Sequence, residues 1–364
     1  MTLTLKAGLI LVILAFLASV CYVSWHLWRI TPGGLPFRLA AVGLFLLWMI
    51  LAFAGMGLSE KLSVRAATVL SEVGYPWMIA FLYLLVIFIL ADVLTLCRVL
   101  PKGCLSKSGA GLAGIVGIVA IVMTAGGIHY RHKYREELKV LTDKPLERPL
   151  TIVLASDLHL GYGNRRGELS RWVDLINAVN PDLVLFCGDI VDLHLRPVLE
   201  GDFADEFHRL TAPAFAVLGN HEYYGDVDGA EAFFEAAGIR LLKDASADFA
   251  GIRVIGRNDR SYPCRPALWE ITDTTERFTL LLDHQPSHLE EAEEAGIDFQ
   301  FSGHTHHGQV WPLSWITDAL YERAWGHHVR GKTRYYVSSG LGIWGPKIRV
   351  GTRSEYLVLH IVNE

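Results

Sequence analysis

The sequence predicts two unlike parts: a helical membrane region of about four spans over residues 1–130 and an α/β domain over 150–364, joined by a linker at 131–149. Three observations predict this. The 364 residues are 51% hydrophobic with a mean hydropathy of +0.30, high for a soluble protein, and the excess lies before residue 130. From residue 150 onward, short apolar runs of strand length alternate with amphipathic stretches of helical length. Five of those runs end in polar clusters of a kind that ligates metal.

Four apolar runs, residues 7–28, 37–58, 77–96 and 109–128, each approach the ~20 residues that cross a bilayer. Pro and Gly punctuate the gaps, as in Thr31-Pro32-Gly33-Gly34, Gly74-Tyr75-Pro76 and Pro101-Lys102-Gly103. The first run has no small-x-small cleavage site behind it, and Cys21 follows Val20, so it reads as an uncleaved helix. Few ionisable groups interrupt the runs beyond His26 and Asp92, which suits an anchor better than a transporter. Residues 59–74 alternate apolar with charged positions, the pattern of a short interfacial helix.

With four spans, both chain ends share a side. Lys6, Lys61, Arg65, Arg131, Lys133, Arg135 and Lys139 fall there, against Arg29, Arg38, Arg98, Lys102 and Lys107 opposite. Seven against five tilts the soluble domain toward the cytoplasmic face of an inner (cytoplasmic) membrane. Residues 130–149 are charged and end in two prolines, which reads as a short helix leaving the membrane and then a linker. The net charge of -5 and pI near 6.3 give no basic footprint for nucleic acid. The five cysteines show no CxxC pair and no zinc spacing, so no disulfide framework is expected.

In the second part, runs at 150–155, 183–186, 214–218, 278–282 and 297–301 read as strands. Helices are expected at 167–179, stopped by Asn180-Pro181, at 228–237, stopped by Gly238, and at 286–295, stopped by Gly296. Residues 239–242 and 251–255 suggest an added antiparallel pair, and 335–337 and 356–361 the closing strands. About 215 residues suit one core.

The clusters that end the five runs are Ser156-Asp157-Leu158-His159, Gly188-Asp189, Gly219-Asn220-His221-Glu222, Asp283-His284 and Gly303-His304-Thr305-His306. Parallel strands with helical crossovers end on one edge, where ligands bind, so the clusters are expected to converge. Two carboxylates (Asp157, Asp189), an amide oxygen (Asn220) and four imidazoles (His159, His284, His304, His306) suit Mn, Fe or Zn and exclude a thiolate zinc site. Seven donors exceed one tetrahedral ion and match two ions that share a carboxylate. The DxH and HxH spacings are expected to aim both residues the same way from a strand end. Two such ions would make a hydroxide from the water between them, bind phosphoryl oxygens and offset charge during in-line attack. His221, beside Asn220, is the candidate that protonates the leaving oxygen.

At these residues the sequence resembles the calcineurin-like metallophosphoesterases, whose pattern runs DxH, GD, GNH[DE], H and GHxH. The resemblance implies Asp157, His159, Asp189 and His306 on one metal and Asp189, Asn220, His284 and His304 on the other, bridged by Asp189. It also implies the proton-donor role for His221 and a pair of packed sheets flanked by helices. Within that group it looks most like bacterial membrane-associated members with a Gly-His-Thr-His-Gly-Gly-Gln segment and a later Ser-x-Gly-Leu-Gly. Here these read Gly303-His304-Thr305-His306-His307-Gly308-Gln309 and Ser338-Ser339-Gly340-Leu341-Gly342, with His307 departing from glycine. Protein Ser/Thr phosphatases match less well, because Leu193 ends Gly188-Asp189-Ile190-Val191-Asp192-Leu193 where they carry an arginine.

Other residues weigh toward ordinary roles. Asp192 either orients a histidine or caps the following loop. Cys187 reads as a small buried residue. Trp311, Trp315, Trp325 and Trp344 read first as core, and otherwise as an aromatic wall for a lipid-bearing substrate at the membrane interface. The expected function is metal-dependent hydrolysis of a phosphodiester or pyrophosphate, with a membrane lipid or lipid-linked sugar nucleotide as the substrate that the anchor suggests. A phosphomonoesterase, a non-catalytic metal-sensing membrane module and a transporter are the alternatives.

Overall fold

The computed structural model describes residues 3–272 and 276–364. Contacts divide the chain into two compact units, Met1–Gly126 and Gly127–Glu364. The first is helical: Leu3–Ile30, Leu35–Gly57, Val64–Gly74, Pro76–Leu96 and the body of Gly109–Arg131. Among the described residues four stretches are long and apolar enough to cross a membrane, Lys6–Ile30, Leu35–Gly57, Val64–Leu96 and Gly109–Arg131. The expected interfacial helix at 59–74 is therefore the front of the third stretch, the helix Val64–Gly74, with Ser63 accepting from the Ala66 N–H at its start. Inside the unit Trp77 stacks on Phe81 at 4.9 Å. Tyr22 and His26 on the first helix meet Asp92 on the fourth, at 2.7 and 3.1 Å.

The second unit holds β1 (Lys133–Thr142), β2 (Leu150–Ala155), β3 (Leu183–Cys187), β4 (Ala214–Val217), β5 (Arg240–Leu241) and β6 (Ala245–Phe249). It continues with β7 (Ile252–Gly256), β8 (Phe278–Leu282), β9 (Phe299–Ser302), β10 (Gly326–Arg330), β11 (Thr333–Val337) and β12 (Ser354–Asn363). They form two six-stranded sheets among the described residues, ordered β1-β12-β2-β3-β4-β5 and β10-β11-β9-β8-β7-β6. In the first sheet β2, β3, β4 and β5 are parallel to one another; in the second β7, β8, β9 and β11 are.

The apolar runs arise because both faces of each sheet are covered. Leu150, Ile152 and Leu154 join Leu280, Leu282, Phe299 and Phe301 in the core between the sheets. The alternate residues Val153, Ala155, Val184 and Phe186 pack outward. There they meet Leu169, Trp172, Val173 and Ile176, the buried stripe of helix Arg166–Asn177, and Phe233 and Phe234 of helix Val227–Ala236. A smaller cluster of Ile255, Leu281 and Tyr335 with Leu289 and Ala292 covers the far face of the second sheet.

Three expectations need correction. Residues 131–149 are not only a linker, because β1 runs through them and pairs in parallel with the whole of β12. Residues 239–242 and 251–255 do not pair together: β5 adds to β4, while β7 pairs with β6 and β8. The helix expected over 286–295 is confined to Glu290–Glu294, since Pro286 and the left-handed His288 (φ 57°) precede it.

Candidate metal centre

The five parallel strands carrying the clusters split three and two between the sheets, and their carboxyl ends share one rim. All the expected donors meet there. His159 Nε2 lies 3.9 Å from Asp157 Oδ1, 3.7 Å from Asp189 Oδ2 and 3.0 Å from His306 Nε2. His306 Nε2 is 3.6 Å from Asp157 Oδ1. On the other side, His284 Nε2 is 3.2 Å from Asp189 Oδ2 and His304 Nδ1 is 2.8 Å from Asn220 Oδ1. Side-chain donor atoms of Asp157, His159 and His306 fall within 4.8 Å of one another, as do those of Asp189, His284 and His304. Donors at ~2.1 Å from a common ion stand about 3–4 Å apart, so these separations fit metal ligation.

The reason for convergence differs from the one expected. Asp157 and His159 do not alternate off a strand; both lie past the end of β2 with left-handed backbones, φ 55° and 45°. Asp189 (51°), His304 (71°) and His306 (48°) do the same. A left-handed non-glycine costs roughly 1–2 kcal/mol, so five together persist only because their surroundings hold them. Backbone hydrogen bonds tie the loops together: Asp157 N donates to the Gly188 carbonyl at 3.0 Å and His159 N to the Asp189 carbonyl at 2.9 Å. Leu341 and Gly342 N–H groups donate to the Ser156 and Asp157 carbonyls, which gives the Ser338–Gly342 segment its role. At Gly219 a Cβ would stand 2.2 Å from Asp189 Oδ1, and at Gly303 one would stand 2.3 Å from Asp157 Oδ2. Both positions therefore need glycine.

The donor set itself tests for a metal. His284 Nδ1 faces the Cys187 carbonyl at 2.8 Å, and a carbonyl only accepts, so Nδ1 carries the proton. Nε2, buried and without a hydrogen-bond partner, then faces a carboxylate oxygen at 3.2 Å. At that distance the pair calls for either a proton on Nε2 or a cation between the two atoms. Burial would lower His284, but the charge of Asp189 outweighs it and draws a proton there when no metal does so. Asp189 is held well below the usual carboxylate range: burial opposes this, and His284, His159 and His221 overcome it. Burial lowers His304, and burial with the neighbouring His159 and Arg349 lowers His306 well below its usual range, which favours the neutral form that a metal ligand requires.

His221 belongs to a third such group, with donor atoms of His159, Asp189 and His221 within 4.8 Å of one another. Its Nε2 is 4.0 Å from Asp189 Oδ2, and its Nδ1 is 2.8 Å from Asp192 Oδ1. Burial would lower its pKa, but the Asp192 hydrogen bond and the charge of Asp189 raise it to about 9. A cation held by Asp189 would offset part of that charge. Asp192 fills both roles considered for it, because the same oxygen also accepts from the Leu193 N–H at 2.9 Å.

Several residues were missed by sequence reasoning. Glu222 was visible in its cluster without a role; its buried carboxylate accepts from the N–H groups of Asp189, Ile190, Val191 and Gly219 at 2.7–3.1 Å. Asn164 donates to the Leu158, His159 and Ile343 carbonyls and accepts from the Tyr130 hydroxyl at 2.7 Å. Arg349, 1% exposed, donates to the carbonyls of His306, Ser339 and Gly342. Asp283, next to His284, turns away to Arg265 and Arg257. His307, at φ 49°, stacks on Trp325 at 5.2 Å. Trp325 also donates to Glu355 and is packed, Trp344 lies 6.3 Å from His221, and Trp311 and Trp315 are exposed.

Carboxylate and imidazole donors gathered at the rim of a two-sheet α/β domain could hold divalent cations. A family profile described as calcineurin-like phosphoesterase matches residues 150–308, and the chain carries a calcineurin-like metallophosphoesterase domain. It is 28% identical over 253 residues to an uncharacterized metallophosphoesterase of Campylobacter jejuni, covering 67% of this chain and 68% of that one. It is 31% identical over 225 residues to a transmembrane protein with metallophosphoesterase domain of Danio rerio, covering 57% and 52%. The chain thus spans between half and about two thirds of these curated relatives. A solved archaeal phosphodiesterase aligns at 17% identity with a TM-score of 0.33, covering 53% of this chain and 85% of that one. The four apolar helices and the transmembrane relative mark this as a membrane protein.

Proposed function

We propose that the domain hydrolyses phosphodiesters or pyrophosphates with two divalent cations, Mn, Fe or Zn. Asp157, His159, Asp189 and His306 would hold one, and Asp189, Asn220, His284 and His304 the other, with Asp189 shared. The observation that carries this is the orphaned His284 Nε2 facing the Asp189 carboxylate at 3.2 Å. When bound, such ions supply a nucleophile from water at neutral pH and neutralise phosphoryl charge. The chain's own residues do the rest. Glu222 fixes the Asp189 loop, and Arg349 and Asn164 hold the carbonyls of His306 and His159. His221, oriented by Asp192 through Nδ1, presents Nε2 as the proton donor to the departing oxygen.

The loop cations favour a cytoplasmic-membrane protein with its catalytic domain on the cytoplasmic side. A membrane lipid or lipid-linked sugar nucleotide is the substrate that this setting supports. The test is hydrolysis of bis-p-nitrophenyl phosphate by the full chain with added Mn²⁺. Activity should vanish on chelation and return with metal, and a diester should be cleaved faster than p-nitrophenyl phosphate. Activity that resists chelation would overturn the reading.

A further inference from the structure

Among the described residues of the domain, exposed large apolar side chains are densest at 311–320. Trp311 (39% exposed), Trp315 (65%), Ile316 (55%) and Leu320 (74%) lie within ten residues, on and just before the helix Leu313–Leu320. Single exposed apolar residues are ordinary; a contiguous set marks a surface that something covers.

Only the two ends of this helix adjoin the candidate metal loop, while Trp315, Ile316 and Leu320 are exposed. At its start Gly308, two residues past His306, packs against the Leu313–Ser314 backbone so closely that a Cβ would stand 2.4 Å from Leu313 C. At its end the Tyr321 ring lies 6.3 Å from His304. The same helix neighbours the point where the last apolar span ends. Within Gly127–Glu364, His129 Nε2 lies 3.0 Å from the Thr352 carbonyl, and Tyr130 binds Asn164. Segment 350–352 in turn holds segment 309–311: Trp311 N donates to Val350 O at 2.7 Å, and Thr352 Oγ1 donates to Gln309 O at 2.5 Å. Arg131, His132 and Lys133 follow at once, marking where the hydrocarbon region stops. Trp311 is thus one layer of backbone away from residues at the membrane–water boundary, the depth at which indoles settle.

We infer that Trp311, Trp315, Ile316 and Leu320 dock into the lipid surface, so that the centre takes phosphodiesters from the bilayer rather than from water. The occupant is the lipid headgroup and upper acyl region, and the substrate class is an acylated phosphodiester whose chain stays in the membrane. The choice of lipid over protein rests on continuity with the chain's own membrane span. The substrate class rests on the phosphodiesterase reading; the docking does not.

The experiment uses the full chain in phosphatidylcholine vesicles with Mn²⁺ and two substrates sharing one leaving group. These are soluble bis-p-nitrophenyl phosphate and membrane-resident hexadecyl p-nitrophenyl phosphate. The variant Trp315→Ser/Ile316→Ser/Leu320→Ser should lose about tenfold in kcat/KM on the hexadecyl ester, the scale of one or two apolar side chains. It should keep its rate on the soluble one. A diazirine-bearing phosphatidylcholine in the same vesicles should label peptide 311–320 and spare exposed Trp269. Equal loss on both substrates, no loss on either, or absent labelling at 311–320 would overturn the inference. So would concentration-dependent dimerisation in detergent that the triple variant abolishes, since a second copy would then be the occupant. If the wild type cleaves neither diester, the phosphodiesterase reading fails, while the labelling still decides the docking.

Discussion

The two sheets contribute unlike chemistry to one rim. The first, through β2, β3 and β4, brings Asp157, His159, Asp189 and Asn220; the second, through β8 and β9, brings His284, His304 and His306. Both carboxylates come from one sheet and three of the four imidazoles from the other. Each side is braced in its own way. The carboxylate side depends on Glu222, which gathers four backbone N–H groups. The imidazole side depends on Arg349 and on the first sheet itself, since Cys187 O receives His284 and Asp157 receives the His304 N–H at 3.0 Å. The centre therefore exists only where the sheets are packed in register, with the core of Leu154, Leu185, Leu280 and Phe301 between them.

Substitutions on each side should expose this asymmetry. Asp189→Ala, which removes the carboxylate proposed to be shared by the two ions, should lower kcat on bis-p-nitrophenyl phosphate by on the order of a thousandfold. His221→Ala should slow alkyl esters by about a hundredfold and p-nitrophenyl esters only a few-fold, because a good leaving group needs no proton. A uniform loss across leaving groups would assign His221 to positioning instead. Glu222→Ala leaves four buried N–H groups without an acceptor and should cost about 3 kcal/mol, seen as a lower Tm even in metal-free protein. Arg349→Met should weaken Mn²⁺ binding about tenfold by loosening His306, while a retained His284 keeps part of the affinity. If Arg349→Met proves as damaging as Asp189→Ala, the two sides are not separately braced.

Much of this was legible in the sequence because chemistry and burial coincide there. Doubly covered strands give apolar runs, and the donors follow each run directly, so the DxH, GD, GNH, H and GHxH clusters stand out. What escaped had no local signature. β1 alternates charged residues with Leu138, Val140 and Thr142, of which only Val140 and Thr142 are buried, so it passed for a charged helix and linker. Glu222, Asn164 and Arg349 act on backbone groups distant in sequence, and nothing beside Arg349 hints that its partners are three carbonyls. The left-handed loops were equally invisible, because Asp and His at positive φ are set by hydrogen bonds between loops. The short helix Leu313–Leu320 was readable as a tryptophan-rich stretch, but its exposure was not.

Metal content is the most direct test. Elemental analysis of the full chain, dialysed against Mn²⁺ and then against metal-free buffer, should find two ions per chain. One should be lost in His159→Ala, the other in His284→Ala, and both in Asp189→Ala. A wild type that binds none, or an Asp189→Ala protein that keeps its full complement, would contradict the account.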